Sequence, residues 1–153
     1  MIDVIVLGVF GIVSLVVTII DIRTKRIPDI VVLPALAGNA VVRIVQNPRE
    51  GVGYVSTGLA MMGVFWLIWY FSDGKLGLGD VKLAGYIGTV LGPGLAVFAL
   101  FCTGVIGLAV CLPLIALGRL ALSRRVAFGP FLLAGSWAAL WIHPFVPAVG
   151  DVL

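Results

Sequence analysis

Apolar residues fall into six runs along the chain, separated by short polar or turn-forming segments. The runs cover residues 2–20, 30–45, 54–71, 81–91, 95–117 and 126–142. The connecting segments 23–28, 47–48, 72–74 and 92–94 contain the proline, glycine, asparagine and basic residues that are typical of turns. None of the runs alternates apolar and polar residues as a barrel strand would, and a backbone in lipid must satisfy its own hydrogen bonds. The pattern therefore predicts six helices.

Composition indicates that these helices lie in a membrane. Of the 153 residues, 61% are hydrophobic and only 11% are charged, whereas about a quarter of the residues of a soluble domain are charged. So few charges cannot cover a surface that faces water. We therefore predict an all-α protein, a polytopic membrane helix bundle of about six transmembrane helices, in which residues 1–153 form a single membrane-embedded domain.

The fourth run is the uncertain member of this set, because its 11 residues rise only about 17 Å while a bilayer core measures about 30 Å. The distribution of charge decides the question. If all six runs cross, one face receives eight basic residues and the other two: Arg23, Lys25, Arg26, Lys75, Lys82, Arg119, Arg124 and Arg125 against Arg43 and Arg49. If the fourth run turned back, the division would be five and five. Because basic residues collect in cytoplasmic loops, we predict six crossings, a multi-pass protein of the cytoplasmic membrane, and both termini outside.

Several other kinds of site are not indicated. The first run has no basic residue before it, so it is interpreted as a retained span and not as a cleavable signal. Cys102 and Cys111 have neither CxxC nor zinc-ligand spacing, and His143 stands alone, so no metal and no cofactor are predicted. The basic residues are spread over several loops and form no single stripe, which argues against nucleic acid as a partner. The bilayer is the partner that they do indicate.

Two aspartates at membrane boundaries are the candidates for chemistry. Asp21 ends the first run and Asp80 begins the fourth, so both fall on the predicted cytoplasmic side. Charged residues near membrane depth usually pair or face an aqueous cavity. Asp80 follows Gly77-Leu-Gly79, and it could equally be a helix N-cap or a catalytic residue. Asp21 could simply mark the end of apolar sequence, but the C-terminal end of a helix disfavours an anion, which slightly favours a functional role.

The remaining cytoplasmic acids have simpler interpretations. Asp29 follows Pro28 and is expected to cap the second helix, and Asp73 lies in a Ser-Asp-Gly turn.

Two carboxylates on one face suggest aspartyl catalysis. Like charges brought together cannot both ionise easily, so the pair holds one proton between its members. The ionised member can then activate a water, while the protonated member supports the carbonyl oxygen and later protonates the leaving amine. The chain offers no competing set, since it contains no GxSxG elbow, no HExxH motif and no P-loop.

Three blocks in this order resemble the type IV prepilin peptidases, which are intramembrane aspartyl proteases of the GxGD type. The blocks are DIRTKRIPD at 21–29, GLGDVKLAGYIG at 77–88 and FGPFLLAG at 128–135. The resemblance implies that Asp21 and Asp80 form a catalytic dyad. It also implies that the residues around the dyad help to position substrate: Gly77, Gly79, Lys82, Phe128, Gly129 and Pro130.

The resemblance further implies a substrate class, namely prepilin-like proteins cut at the cytoplasmic face after a short basic leader, typically following glycine. One departure is visible, because larger relatives carry a region with paired CxxC motifs and this sequence contains none. It resembles the short forms of the family, so the expected activity is proteolysis, and nothing supports methyl transfer or a zinc ion. Which pilin-like protein is cut and how many copies assemble are not indicated by the sequence.

Two other classes of protein remain open at this point. A small proton-coupled transporter or channel subunit also uses intramembrane aspartates, usually near mid-bilayer and often within inverted repeats. A scaffold protein could use the twenty glycines for helix packing. The position of the carboxylates separates the three classes, because a relay strings them across the membrane and a scaffold leaves them apart.

Overall fold

The computed structural model describes residues 2–24, 27–72, 76–117 and 128–142, and these residues form six helices. Within those residues all regular structure is helical, so the prediction of an all-α fold is confirmed. Each apolar run corresponds to one helix. The helices are α1 (Ile2–Thr24), α2 (Asp29–Gln46), α3 (Pro48–Phe71), α4 (Leu78–Leu91), α5 (Pro93–Ala116) and α6 (Gly129–Ile142).

The predicted breakers set the boundaries of the helices. Pro48 and Pro93 occupy the first positions of α3 and α5, where a missing N–H costs nothing. Gly92 separates α4 from α5 with a φ of 76°, a left-handed conformation that glycine adopts without penalty. A Cβ there would also stand 2.8 Å from the Tyr54 ring, so both the turn and the packing require glycine.

Four of the helices are long and apolar enough to span a membrane. They contain the candidate spans Val4–Thr24, Asp29–Gln46, Pro48–Phe71 and Pro93–Pro113, and their outer faces expose many large apolar side chains. The chain is therefore a multi-pass membrane protein. The helices α4 and α6 have 14 residues each and rise only about 21 Å. That they cross the bilayer, and which way the bundle faces, stay predictions.

The short helix α4 forms the centre of the bundle. It contacts each of the other five helices, and only Leu78, Gly79 and Lys82 among its residues are not buried. Its closest neighbour is α3, where a Cβ on Gly88 would stand 2.7 Å from the Cα of Gly58. Glycines at this contact let the two backbones approach closely, as is common between membrane helices. Because other helices surround α4, it need not match the length of lipid-facing helices.

The far end of α4 is fixed by polar contacts to α2 and α3. Arg43 donates a hydrogen bond to the Val90 carbonyl at 3.1 Å, and its guanidinium lies 4.3 Å from the centroid of the Tyr54 ring. Asn39 donates to the buried Thr89 hydroxyl at 3.2 Å. The end of α2, the start of α3 and the end of α4 therefore meet at one end of the bundle. The candidate site lies at the opposite end of the bundle.

Candidate active site

Asp21 and Asp80 meet at the end of the bundle opposite Arg43. Asp21 lies in the last turn of α1 and Asp80 in the first turn of α4, and their side chains are only 4% and 8% exposed. The two carboxyl groups are close enough for a negative charge on Asp21 to act on the carboxyl group of Asp80. The structure thus brings together the two residues that the sequence singled out.

The Asp80 carboxylate is held by the turn that precedes it. Gly77 is the N-cap of α4, and its N–H donates to Asp80 Oδ2 at 3.3 Å, while the Asp80 N–H donates to the Gly77 carbonyl at 3.1 Å. This is the half of a capping box in which the third helical residue reaches back to the N-cap backbone. Asp80 is therefore a capping residue at the third helical position and not the N-cap itself, which leaves a catalytic role open.

The Asp21 carboxylate faces the first residue of α6. The Gly129 N–H interacts with it, but Asp21 Oδ2 accepts no hydrogen bond from the described part of the chain although it is buried. A Cβ on Gly129 would stand 2.7 Å from that oxygen. A buried oxygen without a partner usually has a reason, and an acid that exchanges protons with water or substrate supplies one.

Ile27 joins the surroundings of the two aspartates, a contact that sequence reasoning missed. A Cβ on Gly79 would stand 2.7 Å from Ile27 Cβ, and one on Gly129 would stand 3.3 Å from Ile27 Cδ1. The two glycines of separate motifs therefore leave room for the same side chain. Ile27 lies within the first motif, but nothing in the sequence pattern indicates which residues it contacts.

Lys82 binds Asp29 across the α2–α4 interface. Its Nζ lies 2.6 Å from Asp29 Oδ2, with the side chains 30% and 55% exposed respectively. The expectation that Asp29 caps α2 is wrong, because Pro28 is the N-cap and Asp29 is the first helical residue. Its carboxylate is used for the ion pair with Lys82, which ties the start of α2 to the first turn of α4.

The remaining two predicted supporting residues, Phe128 and Pro130, flank Gly129 in the sequence. The Phe128 ring lies 6.2 Å from that of Phe65 near the end of α3, and Pro130 lines a groove between α1 and α6. All eight predicted site residues therefore lie at the same end of the bundle. Any direct contact of the six supporting residues with a substrate stays a prediction.

Several residues considered in the sequence analysis lie outside the described residues, and others lie in the described helices but add nothing to the candidate site. Outside are the Asp73 turn, His143 and most of the basic residues: Lys25, Arg26, Lys75, Arg119, Arg124 and Arg125. Cys102 and Cys111 both lie in α5 as free thiols. Among the described residues, no three His, Cys, Asp or Glu side chains are grouped as a metal site would require.

Comparison with known proteins identifies the class of this membrane bundle as a peptidase. A sequence profile described as the Type IV leader peptidase family matches residues 8–112, a segment that contains both aspartates. The match covers more than half of the chain. The chain therefore belongs to the type IV leader peptidase family.

Curated relatives carry a more specific name. The chain is 32% identical over 134 residues to a prepilin leader peptidase/N-methyltransferase of Aeromonas hydrophila, an alignment that covers 80% of the chain and 44% of the relative. It is 30% identical over 152 residues to one of Burkholderia pseudomallei (strain 1026b), covering 94% and 49%. A Bacillus subtilis (strain 168) relative is 30% identical over 125 residues, covering 80% and 49%. The chain thus spans less than half the length of these relatives. No solved structure matches it.

Proposed function

We propose that this chain is an aspartyl endopeptidase that removes the short basic leader of prepilin-like proteins, with Asp21 and Asp80 as its catalytic dyad. The observation that carries the proposal is the placement of two buried carboxyl groups, from different helices, at one end of the bundle within electrostatic range of each other. Membership of the leader peptidase family supports the reaction class, and the names of the relatives support the substrate class.

The reaction follows from the two protonation states of such a pair. The ionised aspartate takes a proton from a water molecule, whose oxygen attacks the scissile carbonyl carbon. The protonated aspartate hydrogen-bonds to the carbonyl oxygen as its negative charge develops. When the C–N bond breaks, the leaving nitrogen receives a proton from the dyad, and the pair returns to its singly protonated state.

Topology gives the expected arrangement of the substrate. In the predicted orientation the dyad lies at the cytoplasmic face, so the leader stays in the cytoplasm while the following apolar helix lies in the bilayer. The basic loops would repel a basic leader, so they are expected to contact lipid phosphate and fix the orientation. Selection would then depend on docking of the substrate helix and on a small residue at the cleavage site.

The arrangement of acidic residues does not favour the proton-relay alternative. Every acidic residue of the described helices occupies a position in the first or last turn of its helix, namely Asp3, Asp21, Asp29, Glu50 and Asp80. A relay through the membrane needs ionisable groups at intermediate depth. A scaffold protein would leave the two carboxylates apart, whereas Asp21 is buried beside Asp80.

Isosteric substitution of the dyad tests the proposal. In membranes that contain a co-expressed prepilin, Asp21→Asn and Asp80→Asn should each reduce the shortening of the prepilin on a gel by about 10²–10⁴-fold or more, the range lost with a general acid or base. Asp21→Ala and Asp80→Ala should behave alike. The control is Glu50→Gln, a carboxylate at the other end of the bundle, which should cleave normally. Substantial processing by either aspartate variant at normal protein level would refute the dyad.

A further inference from the structure

An open groove runs between α1 and α6, and one of its ends lies in the half of the bundle that holds the candidate dyad. Its volume is about 470 Å³, and its walls include Gly11, Ser14, Thr18, Pro130, Ala134 and Trp137. No lining residue is ionisable, and most are small or apolar. Both helices contribute along their length, so the groove follows the bundle axis.

One end of the groove is lined by Thr18 and Pro130, which lie close to Asp21 along the two helices. Pro130 is the neighbour of Gly129, which faces Asp21, and Thr18 lies one helical turn before Asp21. Gly11 lies ten residues before Asp21, which corresponds to about 15 Å along the helix. A chain that left the dyad and entered the membrane along this groove would therefore have room for about ten helical residues.

The groove contains a buried hydroxyl group, that of Ser14, without a hydrogen-bond partner among the described residues. Ser14 is 6% exposed, and its hydroxyl forms no hydrogen bond with the described residues. By contrast, the buried hydroxyls of Thr103 and Ser136 donate to carbonyls four residues earlier at 2.8 Å and 2.7 Å. A buried, unsatisfied hydroxyl in a groove without charged residues indicates an occupant that offers it a polar group.

We infer that the α1–α6 groove docks the apolar helix that follows the cleavage site of the substrate, an inference that rests on the proposed function. A helix packs well on an exposed small residue such as Ala134, because it allows close approach of two backbones, and it offers carbonyl or side-chain oxygens to Ser14. A lipid tail offers no polar group at that depth. The absence of charge in the groove matches an apolar segment.

Two further cavities do not meet these conditions. One lies on α3 alone, between Val64 and Ser72. The other lies between α1 and α2 and contains Asn39, whose amide binds Thr89 in the half of the bundle remote from the dyad. Neither of these two cavities is lined by a residue near Asp21, whereas the α1–α6 groove is lined by Thr18 and Pro130.

Filling the groove gives the first test. Ala134 is an exposed residue of α6 in the groove, and Ala109 is an exposed residue of α5 outside it. With a full-length prepilin in lipid nanodiscs, Ala134→Phe should raise KM at least tenfold with kcat nearly unchanged, and Ala109→Phe should change neither. A short peptide that spans the cleavage site but lacks the apolar helix should be cleaved equally by both variants, because it does not use the groove.

Photo-crosslinking gives the second test and is independent of turnover. A benzophenone amino acid replaces Leu15, which is 63% exposed in the groove, or Leu108, which is 59% exposed on α5, each with Asp80→Asn to retain the prepilin. A crosslink to the prepilin helix from position 15 and none from position 108 supports the inference. Crosslinks from position 15 only to lipid or to a second copy of the chain overturn it.

The outcomes separate this inference from the proposed function. If the unmodified chain cleaves the prepilin and Ala134→Phe cleaves it with the same KM, the groove assignment fails and the peptidase proposal stands. If the unmodified chain cleaves no prepilin that is co-expressed with it, the peptidase proposal fails and the docking assignment fails with it.

Discussion

Adding a single methyl group at Gly129 should displace the Asp21 carboxylate and reduce activity without unfolding the protein. A Cβ at this position stands 2.7 Å from Asp21 Oδ2, whereas ordinary van der Waals contact begins at 3.4 Å, so one of the two groups must move by about 0.7 Å. Among the described glycines only Gly92 has a positive φ, so alanine is compatible with the backbone at position 129. The effect of Gly129→Ala therefore comes from lost space alone.

The expected loss of activity differs from one glycine to another, because their distances to the aspartates differ. Misplacement of a reacting group by 1 Å can cost about 10²-fold in rate, so we expect Gly129→Ala to reduce cleavage by about 10- to 100-fold. At Gly77 a Cβ would stand 3.2 Å from Asp80 Oδ2, which requires a shift of only about 0.2 Å. Gly77→Ala should therefore lose less activity than Gly129→Ala. Gly63 has nothing within 4 Å of its Cβ position, and Gly63→Ala should cleave normally.

The assay is the initial rate of prepilin cleavage by the purified protein in nanodiscs. The stability of each variant is measured separately, by unfolding it with increasing concentrations of a denaturing detergent. Overpacking costs typically about 1–3 kcal/mol, so the variants should remain folded under assay conditions. Equal rates for Gly129→Ala and Gly63→Ala would show that the Asp21 carboxylate is not sterically confined by α6. A greater loss for Gly77→Ala than for Gly129→Ala would contradict the geometric reasoning itself.

Two further predictions concern the contacts that hold α4. A double-mutant cycle on Lys82→Met and Asp29→Asn should give a coupling energy of about 0.2–1 kcal/mol in unfolding experiments, because both side chains are partly exposed; coupling near 3 kcal/mol would indicate a dry pair. Gly58→Ala places a Cβ 2.5 Å from Thr89 Cγ2 and should destabilise the protein by about 1–3 kcal/mol, whereas Gly63→Ala in the same helix should stabilise it by up to about 1 kcal/mol. Equal effects of the two glycine substitutions would argue against close packing of α3 on α4.

The helices were predictable because apolar runs and proline or glycine breakers are local features. The start of α3 was not, since its first turn contains Arg49, Glu50 and Gly51 and continues the helix beyond the apolar run. The central position of α4 was also hidden. Its short run suggested a re-entrant segment, and charge counting favoured a crossing helix without indicating that its neighbours bury it almost completely.

The members of the candidate site were predictable, but their contacts were not. Asp21 and Asp80 stood out as unusual charges within short motifs. The packing of Ile27 against Gly79 and Gly129, however, joins residues that are separated by 52 and 102 positions. Periodicity and turn chemistry describe one element at a time, so they do not show which glycine receives which side chain. The same limit explains why Asp29 was expected to be a cap and proved to be the partner of Lys82.

The arrangement of helix ends resolves an apparent conflict at Asp21. A carboxylate in the last turn of α1 meets the negative end of its own helix dipole, which disfavours its charge. The structure places the start of α6 against that carboxylate, because Gly129 is the first residue of α6 and faces Asp21. The positive end of a neighbouring helix therefore offsets the unfavourable end of α1. Asp80 needs no such neighbour, since it lies at the start of α4 and accepts the Gly77 N–H. Each aspartate thus faces one helix N-terminus, and because the two N-termini belong to different helices, both carboxylates can be stabilised while they remain close enough to repel each other.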